Sequence, residues 1–225
     1  MTPPDRILYL DEAVTRQVCS GFDALHAVRR VEPDLATAPR TADDGLTMVL
    51  DIASRRMVCV ISAGFLGQLA AASAVVAAAR DLVHGRVLTA GLIGTDVTEL
   101  VAQALTGLPT LVHAAVYTPH LLRARLATAR VPRPRWRPGT TLTVVATAQE
   151  AVLGADVVLV TSDLRLHAEV LSPSAVVVTV ADQPVTGYQV IHLVTERELA
   201  RAGDALAVEI YRTAVRRGLG TWLAR

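Results

Sequence analysis

The sequence predicts an α/β protein, a Rossmann-like doubly wound parallel sheet joined to a smaller, truncated α+β domain. Three observations lead there. From residue 86 onward, short runs of Val, Leu and Ala alternate with helical stretches. Those runs are apolar at nearly every position, the pattern of strands buried on both faces of a parallel sheet. Before residue 86 the order is different: helices, then two consecutive strands, then a long Ala-rich helix. With 225 residues, 52% hydrophobic and 19% charged, the chain has the apolar content for a sizeable core.

A first strand is expected at 7–10. Asp11 stands at the N-cap position of a helix carrying Val14 and Val18, and a second helical stretch runs over 22–31 until Pro33 and Pro39 end the pattern. Residues 46–52 and 57–62 read as paired strands around the turn-prone Ala53-Ser54-Arg55-Arg56. The uncharged stretch 57–79 has the length of a membrane span. Its texture is otherwise: MVCVIS is β-rich, Ala63-Gly64 is a break, and an Ala-dominated helix with Ser73 inside follows to about residue 83. In the alternating block, strands are expected at 87–93, 110–117, 141–146, 156–161, 175–181 and 189–195. The intervening helices fall at 97–105, 120–129 and 149–153, and a closing helix at 204–217 stops at Gly218. Residues 1–85 with 203–225 are thus assigned to the α+β domain and 86–202 to the Rossmann-like one. The segment 130–139 holds four arginines, three prolines and Trp136, and reads either as an anion contact with a stacking surface or as a solvated connector.

Composition excludes several functions. All 22 basic residues are arginine, so Schiff-base lysines, P-loop lysines and ammonium clamps are ruled out. A net charge of +1 is too balanced for general nucleic-acid binding. Cys19 and Cys59 sit in apolar stretches without metal or redox spacing and read as buried small hydrophobes of a reducing compartment. The opening MTPPDRILYLDEA lacks the basic and apolar regions of a secretory signal, so a cytoplasmic location, away from membranes, is expected. His26, His84, His113, His120, His167 and His192 show no paired ligand spacing, so no metal is expected, and no Gly-x-Ser-x-Gly elbow is present.

The segment Gly91-Leu-Ile-Gly94-Thr95-Asp96-Val-Thr-Glu99 stands where a dinucleotide fold places its glycine-rich turn. Gly94, Thr95 and Asp96 are the candidate cofactor-contacting residues. A pyrophosphate needs a second glycine and a small third residue, and these places hold Asp96 and Glu99. Both carboxylates suit an empty helix start, Asp96 as its cap and Glu99 as the capping-box acid. Ordinary binding of NAD or NADP is therefore expected to be lost.

In order along the chain, the residues resemble the ornithine cyclodeaminase and mu-crystallin family. ILYLDEAVTRQV, FDALHAVRRV and Ala38-Pro-Arg40 are similar to its opening landmarks, and Leu66 to Ser73 to its Arg-Thr-Ala-Ala helix start. LIGTDVTELV is similar to its glycine turn, Ala155 to Thr161 to its ADIVVTAT strand, Ala181-Asp182-Gln-Pro184 to its catalytic Asp-x-Pro, and 211–223 to its closing helix. The resemblance implies NAD(P)-dependent dimers acting on amino acids and cyclic imines. It also implies that the smaller domain serves substrate binding and dimerisation. It implies that an arginine and a lysine hold the substrate carboxylate and that the Asp-x-Pro aspartate moves protons. Here the arginine position is Gln68, the lysine has no counterpart, and Asp182 is retained.

The expected function is a repurposed, cofactor-independent biosynthetic enzyme. It would catalyse a cyclisation, isomerisation or elimination on a small intermediate, with Asp182 as acid/base and Gln68, Arg55 and Arg56 positioning substrate. A non-catalytic subunit, pairing with itself or with an intact paralogue, is the alternative. An NAD(P)-dependent cyclodeaminase or imine reductase is the second alternative.

Overall fold

The computed structural model of the chain describes residues 6–20, 23–29, 35–37, 45–83, 87–95, 97–120, 138–162, 166, 168–180 and 191–224. The described residues divide into two compact units, Met1–Ala70 with Ala200–Arg225 and Ala71–Leu199. The divisions fall inside the two longest helices, earlier in each case than the boundaries read from composition.

The first unit is built on a five-stranded mixed sheet of order β11-β1-β4-β3-β2. Its strands are β1 (Arg6–Leu10), β2 (Leu35–Thr37), β3 (Leu46–Asp51), β4 (Arg56–Ser62) and β11 (Thr221–Ala224). The expected hairpin is formed: β3 and β4 pair antiparallel, and β1 lies parallel to β4 on its other side. Alternation decides the faces, because residues in register point to one side. Leu8, Leu10, Val49, Cys59 and Ile61 are all fully buried on one face. Helix α1 (Glu12–Cys19) packs against β4, and begins as predicted, with Asp11 Oδ1 accepting the Val14 amide at 2.8 Å. Two strands escaped the sequence reading. β2 is three residues long, and β11 follows the closing helix, where Gly220 at φ 96 brings the backbone to within van der Waals limits of Leu8, Leu10 and Tyr9.

The second unit is the doubly wound block. Six strands in the order β10-β9-β8-β5-β6-β7 are all parallel. They are β5 (Thr89–Ile93), β6 (His113–Tyr117), β7 (Thr141–Val144), β8 (Val157–Val160), β9 (Val176–Thr179) and β10 (Ile191–Leu193). Every residue of β8 is buried, as two-sided coverage requires. Between strands run α4 (Thr98–Gly107) and α5 (Ala148–Val152), while the helix expected at 120–129 and the segment 130–137 lie outside the described residues.

The other helices among the described residues are α2 (Ala24–Arg29), α3 (Ala63–Leu82) and α6 (Glu196–Arg217). α3 is apolar and long enough to cross a membrane, and most of it is buried inside the fold, as a core helix should be. α6 starts at Glu196, well before the expected residue 204. Its start is a capping box: Thr195 Oγ1 accepts the Glu198 amide at 3.2 Å while Glu198 Oε2 accepts the Thr195 amide at 2.8 Å.

Gly91 lies in the middle of β5 and not in the turn that follows it. A Cβ there would stand 2.5 Å from the Ala151 carbonyl oxygen of α5, a backbone atom that cannot swing away. Gly91→Ala is expected to lower stability by about 1–3 kcal/mol, the usual cost of overpacking, in chemical denaturation.

Candidate functional site

The second unit places one end of its sheet where α/β proteins bind ligands. β6 and β7 lie to one side of β5, and β8, β9 and β10 to the other, so chain order reverses between β5 and β8. Ile93, Val160 and Thr179 end their strands in one register row across β5, β8 and β9. The chain leaves each of them at the same edge, and successive strands are ~5 Å apart. Gly94 and Thr95 follow Ile93; Thr161 follows Val160, its amide bonding the Ile93 carbonyl at 2.9 Å. Asp182 comes three residues after Thr179 in sequence and, like Asp96, lies outside the described residues.

The turn after β5 is fixed on both sides of residue 96. The Gly94 amide donates to the Tyr117 carbonyl at 3.2 Å, and the buried Thr118 hydroxyl donates to the Thr95 carbonyl at 3.0 Å. On the far side, the Val101 amide bonds Val97 O at 2.8 Å and opens α4. The N-cap position of α4 is Val97, whose hydrocarbon side chain offers the first-turn amides no acceptor, and the expected capping residue Asp96 lies outside the described residues. Glu99 is in the first turn, as expected.

The opposite edge of this sheet is held by a device that the sequence reading did not find. Asp156 Oδ2 accepts the amides of Leu88 at 2.8 Å and Thr89 at 2.9 Å, and Thr89 Oγ1 donates to the Gly154 carbonyl at 3.0 Å. Burial pushes the Asp156 carboxyl up, and the Leu88 and Thr89 hydrogen bonds outweigh it, leaving the group below its ordinary 3.8. The aspartate of Ala155-Asp156 therefore clamps β8 to the start of β5, at the end of the sheet away from Gly94. An acid one residue before an all-apolar strand was the available signal.

In the first unit, Gln68 is exposed on the second turn of α3. Gly64, four residues earlier, lies on the same side of the helix, and Gly67 immediately precedes it; a Cβ on Gly67 would meet nothing within 4 Å, and one on Gly64 only the tip of Glu12. Arg55 and Arg56 are not brought to this helix start. They sit in the β3–β4 hairpin, exposed, with Arg55 in the left-handed region at φ 54. Arg56 opens β4 and Ser62 closes it, so the strand carries the chain ~20 Å from the hairpin before α3 begins. Asp51 organises that turn, its Oδ1 accepting the Ser54 amide and hydroxyl at 2.7 Å each, and these bonds hold its carboxyl below the ordinary range.

The remaining reactive groups are structural or unassembled. Burial pushes the Cys59 thiol up to about 12, which leaves it inert at neutral pH. His113 Nδ1 pairs with Thr141 Oγ1 at 2.8 Å, joining the starts of β6 and β7. Among the described residues, no three His, Cys, Asp or Glu side chains form a group that could hold a metal.

No protein-family model matches the chain, and no curated protein does. Solved structures match over its whole length. They include the Thermococcus litoralis Δ1-pyrroline-2-carboxylate reductase in complex with NADH and L-proline (13% identity, 96% of this chain and 99% of that one, TM-score 0.69). An archaeal alanine dehydrogenase dimer with bound NAD follows (13% identity, 97% and 99%, TM-score 0.65). The probable ornithine cyclodeaminase of Bordetella pertussis is a third (18% identity, 97% and 100%, TM-score 0.62). At these identities the likeness is one of fold: the chain shares the Rossmann-like architecture of these three proteins.

Asp156→Ala is expected to cost about 1–2 kcal/mol at neutral pH, a charged hydrogen-bond pair discounted for exposure. Because the folded carboxyl titrates below the unfolded one, its stabilisation is present above the unfolded value of 3.8 and fades as pH falls through the lower folded value. Urea titrations of both proteins should therefore differ clearly at pH 7 and by progressively less as pH is lowered below 3.8.

Proposed function

We propose that this protein acts on a small amino- or imino-acid intermediate through a cofactor-independent cyclisation, isomerisation or elimination, using a dinucleotide fold that no longer supports hydride transfer. The fixed turn after β5 carries this reading. Asp96 follows Thr95 and precedes Val97, whose carbonyls are both held by hydrogen bonds, and it puts a carboxylate where a pyrophosphate-binding turn needs a glycine. A carboxylate ~4 Å from a phosphate oxygen is repelled by ~1 kcal/mol in water and ~4 kcal/mol at a protein surface. The residues present do not fit a dinucleotide in the ordinary pose.

Asp182 would serve as acid/base at the edge shared by β5, β8 and β9, where α/β folds bind ligands. Gln68 would contact the substrate through neutral hydrogen bonds, since an amide cannot form the bidentate charged pair of an arginine. The reaction would take place in the cytoplasm, and the working form would be a pair of identical chains, in keeping with the dimer of the archaeal alanine dehydrogenase. A second reading, an NAD(P)-dependent cyclodeaminase or imine reductase, is favoured by the NADH and NAD seen in proteins of the same fold.

Calorimetric titration separates the two. The wild type is expected to show no binding of NAD, NADH, NADP or NADPH below ~1 mM, and Asp96→Gly to gain at least tenfold in affinity, the ~1.4 kcal/mol that one screened charge supplies. Sub-millimolar binding by the wild type would favour hydride transfer. In a screen of amino and cyclic imino acids without added dinucleotide, turnover by the wild type should fall at least a hundredfold in Asp182→Asn, the scale of lost general acid/base catalysis.

A further inference from the structure

The start of α3 is faced by a charged pair from α1. Arg16 donates from Nε and Nη2 to one oxygen of Glu12, Oε1, at 3.1 and 2.9 Å, and its guanidinium lies 4.2 Å over the ring of Phe65 in the first turn of α3. Phe65 is buried, so the stack fixes where the guanidinium stands. Glu12 Oε2 takes neither of those bonds. It points at Gly64, 3.9 Å from where a Cβ would be. Gln68, one turn further along α3, is exposed on the same side. Helical side chains lean toward the N-terminus, so the Gln68 amide reaches back over Gly64. A notch with a bare glycine for its floor therefore lies between a carboxylate oxygen and an amide.

We propose that this notch receives a cationic N–H group of the substrate, an ammonium or iminium, and turns a carboxylate away. The start of a helix ordinarily attracts an anion. Here the chain supplies one: the first turn of α3 holds no acid of its own, and Glu12 stands beside it instead. Arg16 does not reverse this. Its Nε–Nη2 edge, which would grip a carboxylate in two parallel bonds, already holds Glu12, and its face lies on Phe65. Two acids, Asp11 and Glu12, stand against the single base Arg16 at this end of α1, and α3 carries no charge before Arg80. What remains open accepts hydrogen bonds: the charged Oε2 of Glu12 and the side-chain carbonyl of Gln68, both suited to N–H donors. This inference rests on the contact between Gln68 and substrate proposed above, and adds that the nitrogen of the substrate, not its carboxylate, makes that contact.

Nuclear magnetic resonance of the isotope-labelled full chain tests it with two small ions, methylammonium chloride and sodium acetate, at one ionic strength. The Gln68 side-chain amide signals, identified by their loss in Gln68→Met, are expected to move roughly fivefold more with methylammonium than with acetate at ~100 mM, because only the first completes a charge-assisted hydrogen bond. Glu12→Gln keeps the shape, removes the charge and should lower the methylammonium response roughly fivefold. Gly64→Ala should do the same by filling the notch. It is expected to fold at least as well, since alanine is the better helix former and its methyl would stand 3.9 Å from Glu12. If Glu12→Gln fails to fold, Gly64→Ala decides. An equal or larger response to acetate, no response to methylammonium at ~500 mM, or folded variants that respond like the wild type each overturn the notch. The readout needs no turnover, so the two readings fail separately. A chain that turns over amino or imino acids yet prefers acetate loses this inference alone; one that prefers methylammonium yet turns over none loses the proposed reaction and keeps the notch.

Discussion

The candidate site exists because β8 lies beside β5. Chain order reverses between them, and a parallel sheet offers a ligand crevice only where that happens. Two polar residues bracket β8. At its entry, Asp156 takes two amides from the start of β5, fixing register before the apolar run begins. At its exit, Thr161 bonds the Ile93 carbonyl, and the row Ile93, Val160, Thr179 is set. A slip of one residue would turn every side chain of β8 to the other face, but β8 is Val-Val-Leu-Val, so hydrophobicity alone barely distinguishes the registers. The bracketing hydrogen bonds distinguish them. Gly91 adds a steric limit, since α5 reaches the β5 backbone only because no side chain intervenes.

Most of the fold was legible in the sequence because its signals are local. Asp11 capped its helix, the β3–β4 hairpin formed around its polar turn, and the apolar runs after residue 86 became parallel strands. The misses have physical causes. α6 begins at a Thr-x-x-Glu capping box, but the first turns, Glu196 to Ala202, are so polar that the apolar period shows only further along. β2 and β11 are too short to show a period, and β11 depends on a partner at the other end of the chain, β1.

The site was less legible. Sequence order placed the glycine turn correctly at the switch point, but gave Gly91 to that turn when packing against α5 explains it. It grouped Arg55 and Arg56 with Gln68 because they are near in sequence, and a seven-residue extended strand undoes that proximity. Turn residues separated by one strand from a helix start are close in number and far in space, which no periodicity reveals.

The burial of Cys59 has a consequence for oxidative chemistry. A thiol held near 12 is ionised to only about one part in 10⁵ at neutral pH, and the thiolate is the species that peroxides and electrophiles attack. The other cysteine, Cys19, ends α1 and is half-exposed. Counted by reactive thiols, the chain therefore has one where its composition counts two, and thiol labelling of the folded protein would be written at the end of α1 and leave Cys59 untouched.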